Sequence, residues 1–407
     1  MNIWLINPYG PIPNENWRDY SFTIFGKALS QKGYKVTWWT SNFSHHFKEH
    51  RSKELKEISV TKNFSIKLIP SPSYKKNISI RRVFRDWVFS YKTYNLGKKE
   101  TRPDLIIYYE SPLNFGYAGP ALAKFHNSKL VYDQMDLWPE LIINSFPSFL
   151  HPLFNFIFLP VFIKRKKIFN SLNGVIALAK PYLNEAFKVA PSLKSKPHEV
   201  IYNGISVKEF RKKNEDEALD PILDKKNKIK IIFAGSLGPS YDIESILKVA
   251  KKLEYENPEF HFLIAGDGPK KKMVLQQEKK LSNLFYLGNL KPSKLSEVLR
   301  KCDAGLLAYA SNSNVEMPDK FYDYSAAGIA MICSLKGEVS KKIKKFNAGK
   351  QYSAGNATSL ESVIKNVCLN KDELNNYKKN SYDCAYKFSS EEQNLKLLNF
   401  VEKIIRS

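Results

Sequence analysis

The chain has 407 residues, 43% of them hydrophobic, and a formal net charge of +24 from 64 Lys and Arg against 40 Asp and Glu. That length holds two or three domains, and that apolar share excludes wholesale disorder. The charge favours an anionic partner (nucleic acid, a membrane surface or phosphorylated ligands) without choosing among them.

The amino terminus lacks the basic region of a signal peptide and reads as a first strand. Apolar runs of strand length follow at residues 3–6, 36–39, 105–109, 130–132 and 175–178. Segments with helical spacing lie between several of them, at 22–31 and 115–125. Near-continuous apolar strands alternating with helices predict a parallel α/β sheet covered on both faces. The pattern restarts at 230–235 and 260–266 and continues at 284–287, 304–308 and 330–333. Two successive α/β domains are expected, with the boundary inside 202–228, where a polar connector rich in Lys, Asp, Glu and Asn begins at 208. Ser389-Ser390-Glu391-Glu392 is a capping signal that opens an amphipathic helix to the carboxyl end.

Residues 146–163 are rich in Phe, Leu and Ile and run straight into Lys164-Arg165-Lys166-Lys167. Pro147, Pro152 and Pro160 break the stretch, so it does not read as a membrane span. Two readings fit. One is an interfacial segment over 146–167, with aromatics in the lipid boundary and cations on anionic headgroups. The other is an apolar helix packed inside the first domain.

Ligands of open parallel sheets sit beyond the carboxyl ends of the strands, so the loops there hold the candidate chemistry. In the second half these are Gly235-Ser236-Leu237-Gly238, Gly266-Asp267-Gly268-Pro269, Gly288-Asn289-Leu290 and the segment before Asp323. Glycines allow backbone to approach a phosphate closely. None matches GxGxxG or the Walker pattern, which argues against a dinucleotide oxidoreductase and a P-loop NTPase. Glu316-Met317-Pro318-Asp319-Lys320 runs into a helix start, where unpaired N–H groups and the helix dipole favour an anion. Lys320 would add a mobile cation, and Asp323, one turn on, an acceptor for a sugar hydroxyl. An ordinary capped amphipathic helix fits the same spacing.

In the first half, residues 133–140 hold Asp136 and Glu140 beside Trp138, a carbohydrate-contact composition; Asp136 as the N-cap of a following turn fits equally. His45-His46 reads as a surface pair. Cys302, Cys333, Cys368 and Cys384 form no CxxC pair, so neither a disulfide framework nor a metal site is expected.

Taken in order, Asn203-Gly204-Ile205, Ala234-Gly235-Ser236, Ala265-Gly266-Asp267-Gly268-Pro269, Leu287-Gly288, Cys302 to Leu306 and Pro318 to Gly328 resemble the GT-B glycosyltransferases of the retaining family 4 type. Residues 136–140 resemble the branch found in bacterial surface-polysaccharide synthesis. The resemblance implies two Rossmann-like domains facing across a cleft: residues 1–205 with a crossover helix at 389–407 for the acceptor, and 206–388 for a nucleotide-sugar donor. It implies Asp323 on the ribose hydroxyls, Pro318, Asp319 and Lys320 at the diphosphate, Gly288, Asn289 and Leu290 near the base, and Gly235, Ser236 and Gly266 in the phosphate loops. Glu316 would touch the donor sugar and Asp136 would serve the acceptor.

The sequence departs from that family's pattern. Glu316 and Asp323 are separated by six residues where the family has seven, Ser236 and Tyr241 replace its phosphate-binding Arg and Lys, and Tyr9-Gly10-Pro11-Ile12-Pro13 replaces its Gly-Gly loop. A UDP-sugar as co-substrate, no required cofactor or metal, a lipid-linked or polysaccharide acceptor, and a cytoplasmic location on the inner membrane face are the expectations. A sugar-nucleotide 2-epimerase of the same architecture is the alternative. A nucleic-acid-binding protein is supported by charge alone, and no nucleic-acid motif is present.

Overall fold

The computed structural model describes the whole chain apart from residues 14, 16–18, 78, 111–117, 145, 213–220 and 226. It divides into two compact units, Met1–Tyr202 with Gln393–Ser407, and Asn203–Glu392.

The first unit is built on an eight-stranded sheet: β1 (Asn2–Ile6), β2 (Lys35–Ser41), β3 (Lys56–Thr61), β4 (Phe64–Ile69), β5 (Leu105–Tyr108), β6 (Lys129–Gln134), β7 (Gly174–Ala177) and β8 (His198–Val200). Their spatial order is β3-β4-β2-β1-β5-β6-β7-β8. All neighbours are parallel except the β3–β4 hairpin. β5 and β7 are buried at every position, as an apolar strand covered on both faces must be. Sequence reading misses β3 because its residues are mostly exposed and polar, the character of an edge strand. The last helix, Ser390–Arg406, sends Leu397, Phe400, Val401 and Ile404 into this unit's core. Glu392 N donates to Ser389 Oγ at 3.2 Å, so the capping signal at 389–392 is used.

Residues 146–167 do not form a core helix. They fold as a short turn (Ser148–Leu150), a helix His151–Ile157 that buries no residue, and a helix Leu159–Ser171 that buries only Val161 and Phe169. Phe149, Leu153, Phe156, Ile157, Leu159 and Ile163 are exposed, and so are Lys164, Lys166 and Lys167. Among the described residues no helix is long and apolar enough to cross a membrane.

The second unit carries a six-stranded parallel sheet: β9 (Ile229–Ala234), β10 (Phe260–Ala265), β11 (Leu284–Gly288), β12 (Ala304–Leu307), β13 (Ala330–Cys333) and β14 (Gly349–Gln351). The order is β11-β10-β9-β12-β13-β14, so the loops after β11, β10, β9 and β12 stand side by side at the carboxyl edge. Its core joins Ile231, Phe233, Phe262, Ile264, Leu306 and Ile332 to the helices on either face. The four cysteines are buried free thiols, each pushed well up by burial, as inert core residues are.

Candidate functional site

The glycine loops of the second unit interlock. Gly235 N donates to Ala265 O at 2.9 Å, Gly266 N to Gly288 O at 2.7 Å, and Leu237 N to Asp267 O at 2.8 Å. A Cβ on Gly266, which has φ +138°, would stand 1.8 Å from Gly235 O, so only glycine fits there. The backbones after β9, β10 and β11 thus form one continuous rim. Gly266 is buried in it, Gly235 and Leu290 are half-buried, and Ser236 and Asn289 are exposed.

The helix Asp319–Ala327 starts behind this rim. Pro318 is its N-cap and supplies no side-chain hydrogen bond, and Gly328 closes it with φ +73°. Asn203 Nδ2 donates to Asp319 Oδ1 at 2.9 Å and ties the first turn down. The helix is anchored by Tyr324, whose hydroxyl accepts from Ala234 N at 3.3 Å. Asp323, one turn from the start, is half-buried beside it.

Lys320 is not the mobile surface cation expected from sequence. It is buried, and its Nζ lies 4.2 Å from the centroid of the Tyr241 ring, 5.1 Å from that of Phe233 and 5.4 Å from that of Tyr309. A Cβ on Gly235 would lie 2.4 Å from that nitrogen, so the ammonium rests directly on the bare backbone of the β9 loop. Tyr241, which stands where the family pattern has a cation, is one wall of an aromatic cage around a cation from elsewhere in the chain. Tyr309 and Phe233 were not singled out by sequence reading; they read as ordinary core residues and only the packing makes them a cage.

Glu316 is engaged differently from the other candidates. Its Oε2 accepts from Glu338 N at 2.6 Å, and its carbonyl accepts from Val339 N at 3.0 Å. The carboxylate therefore caps the helix Glu338–Phe346, whose own N-cap is Gly337 with no side chain to offer.

In the first unit, a polar cluster lies at the carboxyl edge of β1, β5 and β6. Tyr9 Oη donates to Asp86 Oδ2 at 2.6 Å, and Arg85 Nη2 donates to Tyr74 Oη at 3.0 Å. Arg85 Nε stands 3.2 Å from Asp86 Oδ1, and both side chains are buried. Arg82 covers the Tyr9 ring at 5.0 Å and the Trp138 ring at 5.5 Å. Asp136 accepts from Tyr109 Oη at 2.9 Å; burial raises its pKa, against the pull of that bond and of Arg82. It caps no helix, because the short helix Glu140–Ile143 has Pro139 at its N-cap.

His45 is no surface residue. Its Nδ1 pairs with the Tyr74 hydroxyl, and burial with the nearby cations Lys48, Arg82 and Arg85 lowers its pKa to about 3. Its neighbour His46 is exposed. Among the described residues no group of three or more His, Cys, Asp or Glu is arranged to hold a metal ion.

Residues 214–383 match the family Glycosyl transferases group 1, and residues 22–209 match Glycosyltransferase Family 4. The chain is a group 1 glycosyltransferase of the GT-B fold. No curated protein sequence matches it. Solved structures similar to the glycosyltransferase include Anabaena HepE in complex with UDP-glucose, at 13% identity and a TM-score of 0.67 over 99% of each chain. Sucrose-phosphate synthase from Thermosynechococcus elongatus aligns at 15% identity and a TM-score of 0.74, covering 100% of this chain and 99% of that one. WaaG, a glycosyltransferase involved in lipopolysaccharide biosynthesis, aligns at 15% identity and a TM-score of 0.63, covering 97% and 99%. These likenesses are likenesses of fold.

Proposed function

We propose that this enzyme moves a sugar from a UDP-sugar to a lipid-linked or polysaccharide acceptor, with retention at the anomeric carbon, in the assembly of a bacterial surface polysaccharide at the inner face of the plasma membrane. One observation carries the donor half of this reading: the Lys320 ammonium resting on Gly235 beside the start of the helix Asp319–Ala327. Bare glycine backbone, a fixed cation and a helix amino terminus are what a diphosphate needs. Ser236 and Gly266 complete the phosphate loops in this reading. Pro318 and Asp319 bring the helix start to the diphosphate, and Asp323 takes the ribose hydroxyls. Gly288, Asn289 and Leu290 border the base. HepE, of the same fold, is seen with UDP-glucose, which makes UDP the first nucleotide to test.

The bond from the anomeric carbon to the diphosphate oxygen breaks, and the bond from the acceptor oxygen to that carbon forms on the same face. The acceptor proton passes to the departing diphosphate. The protein positions the reactants and stabilises the leaving charge, and Lys320 supplies that stabilisation. Glu316 would contact the donor sugar and Asp136 the acceptor hydroxyl. The exposed aromatic and basic face of residues 146–167 supports a peripheral membrane location.

Calorimetric titration with UDP, GDP and dTDP tests the reading, with Asp323→Ala as the control. Micromolar binding of UDP that is lost in the variant is expected. Binding of none of the three would overturn the donor assignment. Binding of UDP with conversion of a UDP-sugar in the absence of acceptor would move the assignment to the epimerase class.

A further inference from the structure

The helix Ile80–Gly97 is built inside out. Its buried face carries Arg85, Asp86, Ser90 and Thr93 with Phe89 and Gly97. Its exposed face carries Ile80, Phe84, Trp87 and Tyr91, which are 87, 53, 54 and 51% exposed. Steps of four, three and four residues put these side chains in one stripe. Their rings form a ladder: Phe84 stacks on Trp87 at 6.2 Å and 23°, and Trp87 on Tyr91 at 5.7 Å and 15°. Burying one such side chain is worth about 1.5–3 kcal/mol, and the fold leaves the whole stripe in water. The surface is therefore made to be covered by something else.

The charges identify what covers it. Arg81 and Lys92 on the helix are exposed, as are Lys75 and Lys76 just before it. The helix's only carboxylate, Asp86, is turned inward and buried. A second copy would bring a net charge of +24 against +24, which disfavours self-association. An apolar aromatic stripe on a helix with exposed cations and no exposed acid of its own, with Glu100 just beyond its end already paired to Lys67 at 2.6 Å, matches an anionic lipid surface.

The opposite, inward side of this helix reaches the loop that the other exposed apolar segment also touches. Arg82 of this helix lies 5.5 Å from the Trp138 ring. Arg165, on the helix Leu159–Ser171, donates to Trp138 O and pairs with Glu140 at 2.7 Å. The inner side of this helix and the helix Leu159–Ser171 therefore meet at a single loop, residues 136–140.

We propose that the outer face of the helix Ile80–Gly97 docks on anionic bilayers, with Phe84 and Trp87 at the boundary between headgroups and acyl chains. The inner face of the same helix holds Arg85 and Asp86 of the polar cluster. Docking therefore brings that cluster to within about one helix diameter, ~10 Å, of the headgroups. This is the geometry an enzyme needs to reach a sugar acceptor anchored by a lipid. The inference rests on the lipid-linked acceptor proposed above.

Co-sedimentation of the full chain with phosphatidylglycerol-containing vesicles, against phosphatidylcholine alone, tests it. The wild type is expected to partition onto the anionic vesicles. The double variant Phe84→Ser with Trp87→Ser should bind them at least tenfold more weakly. Trp87→Phe should keep binding while losing the share of tryptophan quenching by brominated lipid that Trp87 contributes. UDP binding measured on the same preparations should be unchanged, which shows that the variants are folded and separates this result from the donor assignment. Unchanged vesicle binding in the double variant would overturn the proposal. So would a wild-type dimer that the double variant converts to monomer, because the stripe would then belong to a second copy. Transfer to a soluble oligosaccharide alone, with vesicle binding still dependent on Phe84 and Trp87, would remove the lipid-linked acceptor and leave the docking surface standing.

Discussion

Lys320 and Asp133 show how one side chain's surroundings set its chemistry. Lys320 is held by the faces of Tyr241, Phe233 and Tyr309 rather than by flexible reach. A cation on an aromatic face is worth roughly 0.5–2 kcal/mol. Lys320→Ala should therefore weaken donor binding or turnover by about tenfold or more, through loss of a charge-assisted phosphate contact. Tyr241→Leu should raise the donor KM by about 2- to 30-fold by loosening the cage, while Tyr241→Phe retains the ring and most of the affinity. Unchanged donor kinetics in both Lys320→Ala and Tyr241→Leu would remove the cage from the site. Asp133, at the end of β6, is buried with Oδ2 unpartnered among the described residues, and burial raises its pKa to about 8. An unfolded Asp titrates near 3.9, so between about pH 4 and pH 8 the folded chain holds a proton that the unfolded chain releases. This group's contribution to stability therefore falls as pH rises through that window. Asp133→Asn should stabilise the protein by a few kcal/mol at pH 8, on the order set by the pKa shift, and by almost nothing at pH 4. Denaturant midpoints of both proteins at the two pH values would check this.

Elements in this fold do more than one task, and substitutions can separate the tasks. Glu316 caps the helix Glu338–Phe346 and is also the proposed donor-sugar contact. Glu316→Ala should cost about 1 kcal/mol of stability by stranding a helix-start N–H. Glu316→Gln keeps an acceptor oxygen there, so its melting temperature should stay near wild type. A loss of turnover in the Gln variant would then report the donor contact, and full turnover would leave Glu316 as a cap alone. The helix Ile80–Gly97 misleads an amphipathic reading for a related reason. Its apolar stripe has the spacing of a core face, yet Arg85 and Asp86 go inward to Tyr9, Tyr74 and the first strand's loop. Periodicity identifies which residues share a face and says nothing about which face is buried.

For the whole molecule, the net charge of +24 makes every long-range encounter with an anionic surface salt-dependent. Replacing Lys164, Lys166 and Lys167 with Ala should weaken binding to anionic vesicles several-fold at low salt. The difference from wild type should shrink at high salt, where the screening length falls to about 3 Å. Vesicle sedimentation across a salt series would measure it, and a difference that did not depend on salt would rule out an electrostatic role for those lysines.

The sequence by itself determined the alternation of apolar strands and helices in both halves, and with it the α/β class. Each of the ten apolar runs between residues 3 and 333 overlaps a strand, because a strand buried on both faces has no polar option. It also determined the glycines at the ends of β9, β10 and β11: Gly235 and Gly266 combine positive φ with a close neighbour that a Cβ would strike, and Gly288 has a positive φ of 72°. The mostly polar edge strand β3 and the short strands β8 and β14 fell outside that signal, because little of their surface needs to be apolar, and β4 fell outside it because Phe64-Ser65-Ile66-Lys67-Leu68 alternates apolar with polar instead of running apolar. Tertiary structure alone decided that Lys320 is caged over Gly235, that Glu316 turns to a helix start, and that Tyr9, Tyr74, Arg82, Arg85 and Asp86 meet in one cluster. These contacts join residues far apart in the chain. Spacing along a sequence encodes which neighbours share a face, while the meeting of distant side chains is fixed only when the sheets and helices pack.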